Sequence, residues 1–414
     1  MTKTMKTQPH KTERIHSLDS LRAIMMLLGL VIHSALTYGA YEYGDSWSIK
    51  DLNATHWSND YIVSFIHAFR MQLFFLVAGF FGSMLFYERQ PKRMVQNRLK
   101  RILFPFIVFV ILLWPTILFS FGYSTELLRG NANALSETLS KLTLLNIMTP
   151  NGTFHLWFLY YLVQITFVSV LLGLLFKKLP VFTGFISNAF RWTIQKPLVR
   201  VLIFAAISAA IYFLMGTWSV STSNSWVPDT NTFIYYLTFY MIGWVLFKSK
   251  SLLDLFMKND WANTVLAIAL FSAYYFGYDQ FSYEGKIVIK SFIVWLFIFG
   301  LTGLFIRFGS NHSARMRYVS DSSYWVYLVH LSLTAWIPSL IVDWPLPATL
   351  KFIFVLSSTA VICFVSYHYL VRGTFIGKFL NGRKYTGRLA DIRKNEESAS
   401  LKPAQDKPNT VFSS

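Results

Sequence analysis

The sequence predicts an all-α integral membrane protein of about ten transmembrane helices, with the N- and C-termini in the cytoplasm. Three observations support this. Of the 414 residues, 54% are hydrophobic and only 14% charged, whereas roughly a quarter of the residues of a soluble domain carry charge. Apolar runs recur that are long enough for a hydrocarbon core of about 30 Å, which takes about 20 residues to cross. Between those runs the lysines and arginines alternate from one side to the other.

The runs lie at approximately Leu18–Tyr38, Tyr61–Tyr87, Ile102–Phe121, Phe154–Phe176, Val199–Met215, Phe233–Phe247, Ala262–Tyr278, Ile287–Ile306, Tyr324–Val342 and Leu350–Val371. Each reads as a helix, because lipid offers no partner to open backbone groups. The sixth is the shortest. Aromatic residues make up 18% of the chain and gather at the ends of the runs, where tyrosine and tryptophan suit a membrane–water interface.

Orientation follows from the basic residues. One set of connections carries Lys3, Lys6, Lys11 and Arg14, then Arg89, Lys92, Arg93, Arg98, Lys100 and Arg101, and further groups from Lys177 to the tail, thirty in all. The other set carries only Lys50, Arg129, Lys141 and Lys286 beside acids such as Glu42, Asp45, Asp51 and Asp229. This alternation requires an even number of spans and accounts for the net charge of +18. A nucleic-acid partner is excluded, because no basic patch forms on a soluble domain.

The chain divides into a cytoplasmic segment, residues 1–17, a membrane domain, 18–382, and a polar tail, 383–414, whose composition predicts disorder. The first sixteen residues are polar and basic, so the full-length apolar run after them is expected to act as a retained signal anchor. Cys363 is the one cysteine, which excludes an intramolecular disulfide. No phosphate-binding glycine motif or metal-spaced cysteine motif occurs, so no metal is implied. Nor are paired Gly/Pro interruptions evident in two matching halves, as a transporter of inverted repeats would have.

Ionisable groups within spans are costly and mark function by default. The first helix holds Arg22 and His33. Eleven residues at about 100° each return the second to within about 20° of the first, about 16 Å further along the axis. The second run holds His67 and Arg70, i,i+3 neighbours on one helical face. His67 falls at a depth similar to that of His33, so two histidines and an arginine meet in the outer half with Arg22 below them. The competing reading is structural: such groups fasten helices together, and Arg22 snorkels beside Asp19. A histidine is the usual base where a hydroxyl is activated near neutral pH, and a line of arginines suits an elongated anionic substrate such as acyl-coenzyme A. Arg98 and Arg101 add two cations on one face at the cytoplasmic rim, or else are ordinary positive-inside charge.

At these residues the chain resembles the acyltransferase-3 membrane family. LDSLRAIMMLLGLVIH matches the family's arginine–ten residues–histidine pattern through Arg22 and His33. His67–Phe86, HLWFLYYLV (His155–Val163), SSYWVYLVH (Ser322–His330) and Leu380–Lys384 are similar to a branch that succinylates osmoregulated periplasmic glucans. The resemblance implies a cytoplasmic acyl-CoA donor, succinyl-CoA for that branch, a glycan acceptor beyond the membrane and a location in the inner (plasma) membrane. It allows contact with other glucan biosynthesis proteins. On this carry-over His33 is the base and Arg22 an essential cofactor-binding or positioning residue, with Arg70, Arg98 and Arg101 as further acyl-CoA or active-site cations. Many relatives place serine where this chain has Ala78; the neighbouring Gly79 remains for close helix packing.

Further candidates are His155 and Trp157, expected at the outer rim for the acceptor, and Tyr327 and His330, expected in the inner half against the donor arm. His368 and Arg372 read as interfacial, and Tyr235, Tyr236 and Tyr240 as packing. The expected activity is O-acylation of a glycan hydroxyl. The rivals are acetylation of another envelope polysaccharide, a transporter of small anions or saccharides, and a scaffold subunit of a glucan synthase.

Overall fold

The computed structural model describes residues 15–220, 222–311, 313–382 and 385. The basic N-terminal stretch and the tail beyond Tyr385 lie outside the described residues. Among the described residues every regular element is helical, as expected where backbone groups must be satisfied within their own segment. The helices are α1 (His16–Leu36), α2 (Trp57–His67), α3 (Arg70–Arg89), α4 (Pro91–Arg98), α5 (Phe104–Leu128), α6 (Ala134–Lys141), α7 (Leu144–Met148) and α8 (Trp157–Lys177). They continue as α9 (Pro180–Gln195), α10 (Pro197–Met215), α11 (Thr230–Lys248), α12 (Asp260–Phe276), α13 (Tyr283–Gly309), α14 (Ala314–Leu340), α15 (Ala348–Ser366) and α16 (Phe375–Asn381).

Local chemistry sets their ends. Asp229, Ser282 and Ser313 cap α11, α13 and α14 by accepting from the backbone N–H groups of Thr232, Gly285 and Met316. Pro91, Pro180 and Pro197 start α4, α9 and α10, where the missing N–H costs nothing. Gly216 closes α10 in the left-handed region at φ 62°.

Among the described residues, seven helical stretches are long and apolar enough to cross a membrane: His16–Leu36, Trp57–Arg89, Pro91–Leu128, Phe154–Lys177, Pro197–Met215, Tyr283–Gly309 and Ala348–Val371. The other three apolar runs also form helices, α11, α12 and α14.

The structure revises three details of the sequence reading. The second run is not one helix: it breaks at Ala68 and Phe69, so His67 ends α2 and Arg70 begins α3, and the two are not neighbours on a continuous face. The ninth run starts ten residues earlier than its apolar part, because the polar stretch from Ala314 is helical too. Tyr327 and His330 therefore sit near the middle of α14, not close to one end. Between Arg98 and Phe104 the chain makes a π-helical turn, Leu99–Leu103, which rotates Arg101 away from Arg98.

The helices pack through small residues. A Cβ on Gly79 would collide with the backbone carbonyl of Tyr240, and one on Gly243 with that of Leu76, so α3 and α11 cross backbone to backbone. Phe75, Tyr236, Phe239 and Trp295 fill the core beside that crossing.

Candidate active site

α1 and α14 run side by side in the same direction: their N-terminal ends share a small polar pocket lined by His16, Asp19, Ser313 and Arg317. His33 lies about 26 Å along α1 and His330 about 24 Å along α14 by helical rise. Equal heights bring the rings together, with centroids 5.2 Å apart. His155 joins them from the short turn ahead of α8, its ring 5.3 Å from that of His330. Thus a connection between α7 and α8 reaches to the middle of α14. The Tyr327 hydroxyl holds it there by donating to the His155 carbonyl at 2.6 Å. The preceding Phe154 adopts a left-handed φ of 45°, a conformation costing about 1 kcal/mol that persists where surroundings impose it.

The hydrogen bonds decide which ring nitrogens carry protons, since a carbonyl can only accept. His330 donates from Nδ1 to the carbonyls of Tyr327 at 2.8 Å and Val326 at 3.1 Å. Its Nε2 is left with a lone pair, buried and without a hydrogen-bond partner. His155 donates from Nε2 to the Leu328 carbonyl at 2.9 Å, which leaves Nδ1 bare and buried. His67 donates from Nδ1 to Val63 at 2.9 Å and keeps an accessible ring surface. His33 has no such carbonyl among the described residues; its Nδ1 is buried and unpartnered.

Arg70 lies across α1 one turn away. Its Nε donates to the Met25 carbonyl at 2.8 Å, and its guanidinium covers Gly29, where a Cβ would run into it. The break between α2 and α3 releases Arg70 into this position. His330, Arg70, His155 and His67 all lie close enough for their charges to act on His33.

A loop closes the far side. Trp47 stacks on His33 with centroids 5.4 Å apart, and its indole N–H donates to Thr37 Oγ1 at 3.0 Å. Lys351 anchors the loop through a fully buried ion pair with Asp51 at 2.8 Å. Asp60 accepts from the Ala40 N–H at 2.6 Å and the Tyr43 hydroxyl at 2.8 Å. Burial, aided by that bond to a carboxylate, raises the Tyr43 phenol above its ordinary range.

On the opposite side Arg22 pairs with Asp19 at 3.1 Å and stands 5.3 Å over the Phe81 ring. Arg98 donates to the Ala78 carbonyl at 3.4 Å while its Nε is buried without a partner. Arg101 donates to the carbonyls of Lys378 and Phe379 in α16, both at 3.5 Å.

Of the candidates, His33, Arg70, His155, Tyr327 and His330 come together. His67 joins their margin, and Arg22 and Arg98 form a separate lower group. Trp157 is buried against Tyr236 with ring centroids 5.6 Å apart, so neither it nor His155 stands at an open rim. Sequence reasoning passed over Lys290 and Lys351, although both are charges inside apolar runs and the rule that marked Arg22 marks them equally. Lys290 reaches the Trp218 ring at 4.9 Å. It also passed over Trp47, for which a loop sequence carries no signal. Among the described residues no group of three His, Cys, Asp or Glu side chains is arranged to hold a metal.

Comparison with known proteins matches an acyltransferase domain family over residues 15–368. The chain is 30% identical over 348 residues to glucans biosynthesis protein C of Salmonella heidelberg (strain SL476), covering 78% of this chain and 82% of that protein. Its identity to the proteins of the same name from Salmonella agona (strain SL483) and Salmonella paratyphi A (strain ATCC 9150 / SARB42) is also 30%, with the same coverage. No solved structure matches it.

Proposed function

The chain belongs to this acyltransferase family and is a membrane acyltransferase; from that premise we propose that it moves an acyl group, succinyl in our reading, from cytoplasmic acyl-CoA to a hydroxyl of an extracytoplasmic glycan. Periplasmic glucan is the acceptor suggested by the relatives' name. The accompanying topology is ten spans, the seven apolar stretches plus α11, α12 and α14, with both ends cytoplasmic in the inner membrane. The positive-inside distribution supports it.

One observation carries this reading: imidazole nitrogens with no hydrogen-bond partner converge around His33 at mid-height, with a guanidinium one turn away. A buried nitrogen left unpaired is costly unless a ligand satisfies it. In the proposed reaction His33 takes the proton of the glycan hydroxyl through Nε2 as the oxygen attacks the thioester carbonyl. Arg70 stabilises the oxyanion. Collapse of that intermediate breaks the C–S bond, and the coenzyme A thiolate recovers the proton from His33, so ester and free thiol are the products. Arg22 and Arg98 lie on the donor's path, where the unpartnered Nε of Arg98 suits a phosphate oxygen. Arg70 and Lys290 both lie near His67, and His67 with Lys290 suits the distal carboxylate of a succinyl group.

His33→Ala in native membranes is expected to lower transfer of labelled succinyl from succinyl-CoA to glucan by about 10³-fold or more, without loss of protein from the membrane. Retained transfer would reject the base. Uptake of labelled donor or glucan into vesicles, undiminished by the substitution, would instead indicate transport.

A further inference from the structure

We propose that His330 is the positioning residue for His33: its Nε2 accepts a hydrogen bond from the Nδ1–H of His33 and holds His33 in the tautomer whose Nε2 is the base. The inference rests on His33 being the base and assigns His330 to the proton chemistry, not to the donor arm.

Four observations converge on it. First, His330 cannot choose its tautomer. The carbonyls of Val326 and Tyr327 hold the proton on Nδ1, so Nε2 can only accept. Second, His155 is fixed in the same sense, because its Nε2–H is committed to Leu328 and its Nδ1 is a lone pair. These two bare nitrogens cannot bond to each other. Third, His33 is the one ring of the three with a nitrogen free to donate, and its Nδ1 is buried with nothing to receive the hydrogen. Fourth, the two rings are neighbours, with centroids 5.2 Å apart and planes tilted by 44°; each presents a buried nitrogen without a partner, and a turn of the His33 ring toward α14 brings the two to hydrogen-bond length.

The consequence is mechanistic. With Nδ1–H directed at His330, the lone pair of His33 points away from α14 on Nε2. When Nε2 takes the hydroxyl proton, the positive charge on His33 is shared with His330 through that bond, and it disperses when the proton passes to the departing thiolate. The other groups near His33 do not replace this. Arg70 is a cation and donates to Met25, the Nδ1–H of His67 is committed to Val63, and Tyr327 donates to His155. Trp47 covers one ring face and offers no acceptor there.

The test compares His330→Leu with His330→Gln in the full chain in native membranes. Glutamine carries a carbonyl oxygen about as far from Cβ as Nε2, whereas leucine carries no acceptor. His330→Leu is expected to lower kcat about 10²-fold, with KM for donor and glucan changed by less than about threefold. His330→Gln should recover kcat to within about tenfold of the parent. His155, Arg70, His67 and Tyr327 are unchanged in this comparison.

A kcat for His330→Leu within about threefold of the parent overturns the proposal. So does a rise in donor KM at constant kcat, or a glutamine no better than leucine. If the leucine variant fails to accumulate, the glutamine variant decides: a folded His330→Gln that has lost activity about 10²-fold rejects the role. Should the parent chain transfer no acyl group, or His33→Ala retain transfer, the functional reading fails first. If His33→Ala is inactive and His330→Leu is not, this inference alone fails.

Discussion

Two polar zones lie along α1 and are built in opposite ways. Around His33 the polar groups are committed: carbonyls set the protons of His155, His330 and His67, Met25 holds Arg70, and a buried Lys351–Asp51 pair anchors the loop that carries Trp47. Around Arg22 they are loose. Arg22 is about one-third exposed and leans on Asp19 in its own helix, Arg98 makes one long bond, and Arg101 turns to the carbonyls of α16. The first zone suits chemistry, which needs groups in place before the substrate arrives. The second suits capture of a long flexible anion by charge, where exact placement matters less.

Substitutions test the contrast. The largest effect after His33→Ala is expected from Asp51→Ala. Removing one partner of a buried ion pair leaves the other charge uncompensated, at about 3–5 kcal/mol. The thermal midpoint of the detergent-solubilised protein should fall by several degrees, while the double variant Asp51→Leu, Lys351→Met should recover most of it. No recovery would mean that the pair does more than compensate its own charges. Arg22→Ala comes next: a rise of about tenfold in donor KM with kcat nearly unchanged is the expected split for a capturing cation. A fall in kcat alone would move Arg22 into the first zone. Smallest is Lys250→Ala, which breaks an exposed pair with Glu88. Such pairs are worth about 0–1 kcal/mol, and a midpoint shift comparable to that of Asp51→Ala would contradict the ranking.

Much of this was legible beforehand, for reasons tied to particular residues. Arg22 and His33 stood out as charges inside an apolar run, and helical period placed them on one face. Their companions were harder to place. His330 looked remote from His33 because the apolar part of its run starts at Tyr324, while the helix starts at Ala314. Polar residues at a helix end carry no apolar period, so hydropathy misses them. His155 looked like a rim residue because it precedes an apolar run, and its bonds with Tyr327 and Leu328 of α14 draw it inward. The break before Arg70 left no mark in composition, since neither Ala68 nor Phe69 is a helix breaker.

Composition and periodicity were enough for the helical class, the apolar spans and the ionisable residues that justify their burial, because lipid penalises every unsatisfied backbone group and every stray charge along the chain itself. Which histidine faces which, and which nitrogen carries a proton, depends on contacts between α1, α14 and the turn before α8. Those residues are separated by well over a hundred positions, and no local pattern encodes the carbonyl that a distant ring will meet.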